Sequence, residues 1–160
     1  MSAELANYRD LLPRGDADAL HIELDDGAIL VAGRYALIMI RDGEVADSAM
    51  WYEVQSARWE GEKQELSVNW VDPARSPLVV HSSHSPMRAF MEDISEKVNC
   101  TQVLVRSIKA PNGAVITAQI RKREDGELFS VLAARGRLDD EAMELAHSLE
   151  KQLRESVGLE

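Results

Sequence analysis

Five turn signals punctuate the chain: Asp26-Gly27, Gly33-Arg34, Asp42-Gly43, Asn112-Gly113 and Asp125-Gly126. Each lies between apolar or alternating runs. Asp-Gly and Asn-Gly tolerate the positive φ that two-residue hairpin turns demand, and a leading Gly suits a type II′ turn. Turns of this kind at this spacing prescribe an antiparallel meander.

Between them the pattern predicts strands at 19–24, 28–32, 35–41, 44–47, 51–59, 65–71 and 77–81. In the sixth, Leu66, Val68 and Trp70 alternate with Ser67 and Asn69, giving one buried and one wet face. A helix follows at 86–98. Ser85 can cap it, Pro86 fits its first position, and Met87, Phe90, Met91, Ile94 and Val98 form an apolar stripe. Three more strands are expected at 102–109, 114–123 and 127–133, then a helix at 138–157. Asp139, Asp140 and Glu141 favour that helix's start. Strands and helices are not interleaved one by one, so the fold class is α+β. The expected organisation is an N-terminal segment at 1–18, with a short helix around 3–11 stopped by Pro13, then a seven-stranded barrel or sandwich with its helix at 19–99. A βββα unit packed on it follows at 100–158. Leu159-Glu160 resembles a vector-derived remnant.

The strands and their spacing match the layout of pleckstrin-homology-like (PH-like) domains, seven antiparallel strands closed by a helix. The stretches VAGRYALIMIRDGEV, MWYEVQSARWEGEKQELSVNWVD and SPMRAFMEDISEKV, with Trp51 followed by Val54, Ala57 and Trp59, resemble a bacterial, mainly actinobacterial, family of PH-like domain proteins. The resemblance runs from about residue 20 to 157. It implies a fold and brings no established activity, cofactor or catalytic residue; His81 and His84 are not part of its pattern.

Composition narrows the function classes. A formal net charge of -10 disfavours broad attraction to nucleic acid or anionic membranes. No apolar run reaches the roughly 20 residues of a membrane helix, and MSAELANYRD lacks the features of a signal peptide. The single cysteine, Cys100, rules out an internal disulfide and suits a reducing cytoplasm.

The most reactive-looking stretch is VVHSSHSPM, with His81, His84 and three serines. A catalytic zinc site needs three protein ligands, and this stretch offers two. A Ser-His-Asp arrangement could assemble across the fold, but no Gly-x-Ser-x-Gly elbow is present. Strand end, helix cap and surface histidines account for the pattern. A PH-like lipid site needs Lys and Arg around the first hairpin, which here reads Asp25-Asp26-Gly27 beside Glu23. No phosphoinositide or membrane binding is expected. His21 beside Glu23 and His147 read as solvated, and Trp51, Trp59 and Trp70 as packing.

Residues 102–137 hold seven bases against three acids, a local charge of +4. Alternation places Thr117, Gln119, Arg121 and Arg123 on one wet face, so Arg106, Arg121 and Arg123 form the expected interaction face for an acidic partner. The resulting expectation is a cytoplasmic, non-enzymatic interaction or scaffold module that binds a protein, with no catalytic residue, metal or cofactor. Its free strand edges are compatible with a homodimer. The competing classes are a small-molecule binder, which requires a cavity between sheet and helix, and a small hydrolase using His81 or His84.

Overall fold

A computed structural model describes residues 8–159. The chain divides between Asn99 and Cys100 into two compact units. The first contains strands β1 (Leu20–Glu23), β2 (Ile29–Ala32), β3 (Ala36–Arg41), β4 (Glu44–Met50), β5 (Val54–Glu60), β6 (Glu65–Trp70) and β7 (Leu78–His81). Helix α1 (Met87–Thr101) follows, ending just inside the second unit, which contains β8 (Gln102–Lys109), β9 (Val115–Lys122), β10 (Leu128–Arg135) and α2 (Asp140–Ser156). The class is α+β. Among the described residues no helix is long and apolar enough to cross a membrane.

The turn chemistry explains the meander. Asp42 and Gly43 take φ of 53° and 75°, the paired positive values of a type I′ turn joining β3 to β4. Gly33 works differently from expectation. It does not use the positive-φ region. Instead a Cβ there would lie 2.6 Å from an Asp16 carboxylate oxygen and 2.8 Å from the Ala36 carbonyl. Close approach, not handedness, demands glycine.

The seven strands form two open antiparallel sheets, ordered β1-β2-β3-β4 and β5-β6-β7, rather than a closed barrel. Between β4 and β5 the strand expected from residue 51 is replaced by a 3-10 turn, Trp51–Glu53. The cause is local. Trp51 is buried and donates its indole N–H to the Gly33 carbonyl at 2.8 Å, while the Glu53 carboxylate accepts the Met50 N–H at 2.7 Å. The chain therefore turns inward before β5 begins.

The two sheets and α1 share one core, including Ile22, Leu30, Leu37, Val54, Leu66, Val68 and Trp70 with Met87, Phe90, Ile94 and Val98 of the helix. Each such aliphatic or aromatic residue contributes about 1.5–3 kcal/mol relative to exposure. The first sheet is apolar on its other face too. Ile29, Val31, Ile38 and Ile40 form a second cluster with Tyr8, against which Leu12 and Ala19 pack. Of the helix expected at 3–11, residues 3–7 lie outside the described residues, and Tyr8–Leu11 form a 3-10 turn.

In the second unit β9 is central, with β10 and β8 on either side. Ile116, Ala118 and Ile120 pack with Ala142, Ala146, Leu149 and Leu153 of α2. That helix is capped by Asp139, whose carboxylate accepts the Ala142 N–H at 2.8 Å.

Candidate functional site

The serine and histidine junction is a latch between β7 and the first hairpin. The buried Ser82 donates its hydroxyl to the Glu23 carbonyl at 2.7 Å and its N–H to the Gln64 carbonyl at 3.1 Å. Ser83 donates both its N–H and its hydroxyl to one Asp25 oxygen, at 2.8 and 2.6 Å. Ser85, expected as a helix cap, accepts the Glu23 N–H at 2.9 Å. Asp25 in turn donates its N–H to the His81 carbonyl at 2.9 Å.

These bonds set the electrostatics. The Ser83 hydroxyl, then the Ser83 N–H, with smaller attraction from His84 and His81, hold the Asp25 carboxyl below its ordinary value. His81 and His84 are exposed. His81 lies opposite Glu65 across the β6–β7 ladder, with 3.2 Å between its Nε2 and the carboxylate. The Ser83 hydroxyl is thus committed to a carboxylate as donor, not to a histidine base, which is the wrong arrangement for an activated nucleophile. Among the described residues no three His, Cys, Asp or Glu side chains group closely enough to hold a metal ion.

The first hairpin is occupied in the same way. Asp26 accepts the Ala28 N–H at 3.0 Å and pairs with Arg41 at 2.6 Å, and in that order the two lower its carboxyl pKa. At the other end of the sandwich Arg75 lies 3.8 Å over the Trp70 ring and reaches Asp47 at 2.9 Å. The gap near this contact, lined in part by Leu37, Met39, Trp70 and Leu78, measures about 10 Å³, room for about one water. Trp51 and Trp70 are buried and Trp59 packs against the same core. His21 hydrogen-bonds the Tyr8 hydroxyl at 3.1 Å, and His147 is exposed on α2.

The expected face of Arg106, Arg121 and Arg123 does not exist as one surface. Arg106 pairs in register with Ala118, and Leu104 and Ile108 on either side pair with Ile120 and Ile116. Arg106 therefore projects to the α2 side of the sheet. Arg121, one residue along from Ile120, projects to the opposite side. It is also fully buried, at 0% exposure. Its guanidinium donates to the Gln119 amide oxygen at 2.9 Å and to the Thr101 hydroxyl at 3.0 Å, and burial pulls its pKa below the ordinary arginine value. Gln119 is buried as well, so half of the expected wet face is interior. Arg123 is half-buried, with its guanidinium 4.7 Å from the Phe129 ring centre. A polar residue's exposure depends on what packs over its strand, and alternation carries no record of that.

A further surface lies on the side of the β8–β10 sheet away from α2. Val105 and Val115 there are exposed at 49% and 37%, and Val103, in the bulge at the start of β8, at 44%. Beside them Ser107 and Thr117 face each other across the ladder with their hydroxyls 2.8 Å apart. Ala133 and the basic Lys109 and Arg135 complete it. No acidic residue occurs anywhere from Lys97 to Arg123. The readable signal was the odd-numbered valine spacing of β8, which marks an apolar face where solvent would favour polar residues.

Comparison of the chain with known protein families, with curated proteins and with solved structures finds no match.

Proposed function

We propose that this protein is a non-catalytic interaction module: a PH-like first unit carrying a βββα unit whose sheet, on the side away from α2, docks a protein partner. The observation that carries the reading is the exposure of Val103, Val105 and Val115 around Ser107 and Thr117, with Lys109 and Arg135 at the margin. Solvated sheet faces ordinarily turn polar residues outward, and exposed valines on either side of a hydroxyl pair, with bases at the margin, favour a protein contact surface over a solvated one. The PH-like reading is supported by the order of four strands, three strands and a helix around one core. The acidic first hairpin, with Asp25 and Asp26 already bonded, favours a protein over a phosphoinositide or membrane as partner.

The test is capture from a lysate of the native cell with wild-type protein and the double variant Val105→Glu/Val115→Glu. Both positions are exposed, so the variant keeps its fold, checked by circular dichroism. The expected result is loss of one stoichiometric protein from the captured set. An unchanged set would sink the reading.

A further inference from the structure

We propose that the partner supplies an extended acidic strand that adds to the free edge of β8. This deepens the docking reading above and rests on it. Among the described residues the sheet ends at β8, which pairs on one side only, with β9. Eight residues of backbone, Gln102–Lys109, thus present a row of outward N–H and carbonyl groups, the template for strand addition.

Charge selects the incoming strand. β8 carries Arg106 and Lys109 and no acid, and both bases are exposed. Among the described residues neither makes an ion pair. An added strand would set one row of side chains beside Val105 and Ser107, and the other beside Leu104, Arg106 and Ile108. Apolar residues fit the first row and carboxylates the second, at Arg106, with a further acid suited to Lys109 at the strand end.

The other edge strands of the described residues lack this combination: β1 is four residues long and ends in Glu23, and β5 ends in Glu60. β10 is preceded by Glu124, Asp125 and Glu127, which would repel an acidic strand. β4 carries Glu44 and Asp47, and Arg75 already engages Asp47. β7 is four residues long and ends at the latch. Edge bases guard against pairing with basic strands, and the same charges at Arg106 and Lys109 recruit an acidic one.

The probe is a fluorescein-labelled peptide of alternating Glu and Val, with a Lys-Val peptide of equal length as control. Binding is read by anisotropy, and the edge by amide hydrogen exchange. The Glu-Val peptide is expected to bind and to slow exchange within 102–109 but not within 128–135. Arg106→Glu/Lys109→Glu should weaken it roughly tenfold or more, and the Lys-Val peptide should not bind. Equal binding of the two peptides, no binding of either, or binding without protection of β8 would overturn the inference. The two readings fail separately. If Val105→Glu/Val115→Glu abolishes native capture while Arg106→Glu/Lys109→Glu leaves it intact, the face stands and the edge does not.

Discussion

In the first sheet, Ile29, Val31, Ile38 and Ile40 point away from the sandwich core, yet each is 4% exposed or less, because Tyr8, Leu12 and Ala19 lie against them. In the third sheet, Val105 and Val115 point away from α2 and are 49% and 37% exposed. The first sheet is apolar on two faces, whereas the spare face of the third sets Val105 and Val115 among Ser107, Thr117, Lys109 and the buried Gln119 and Arg121. The chain covers the spare face of the first with residues 8–19 and leaves the part of the other that holds Val105 and Val115 exposed. Burial of apolar area is the main favourable term in folding, so a covered face is explained by stability alone. The exposed valines contribute no such term within the chain.

The comparison breaks most sharply under charge substitution. Ile38→Asp places an unpaired carboxylate in the sealed cluster and should cost about 4 kcal/mol or more, whereas Val105→Asp should change stability by less than about 0.5 kcal/mol. Urea denaturation of the two variants measures both. Similar losses would mean that the two faces are not different in kind.

A smaller effect tests how the sealed face is held. Gly33→Ala drives a Cβ into Asp16 and the Ala36 carbonyl, at the turn where the N-terminal segment meets the first sheet. Overpacking of this kind costs about 1–3 kcal/mol. A thermal scan should show a lowered midpoint; an unchanged one would mean that the Asp16 carboxylate moves aside freely.

Smaller again is Arg75→Ala, which removes the stacking on Trp70 and the partly exposed pair with Asp47. The expected loss is about 1 kcal/mol, with a change in tryptophan fluorescence. Unchanged emission would argue that the ring does not depend on Arg75 for its surroundings.

The mildest test is ionic. Asp25 has a lowered pKa in the folded state, so its contribution to stability is present above its unfolded pKa and fades as pH falls through the folded value. Ser83→Ala removes the largest cause and should move the Asp25 pKa up toward the ordinary aspartate value, followed by NMR titration. A pKa unmoved by the substitution would place its cause elsewhere.

Much of the fold was legible because turns and periodicity are local. Asp42-Gly43 readily takes the positive φ of a tight hairpin turn, and the helical spacing of Met87, Phe90, Ile94 and Val98 admits one buried stripe. What was not legible depends on contacts between distant segments. Gly33 reads as a turn glycine until Asp16 is seen beside it. Arg121 reads as surface because arginine usually is, and only the strand pairing separates it from Arg106. The serines of VVHSSHSPM read as nucleophiles or caps until their partners, Glu23 and Asp25, arrive from the first hairpin.

Photo-crosslinking in the native cell tests the central claim most directly. A photoreactive side chain at Val105 and, separately, at the equally exposed Val79 on β7 compares a position on the bare face with one on the first unit. The account predicts a discrete crosslinked protein from position 105 and none from 79. Crosslinks from 79 with none from 105 would contradict it.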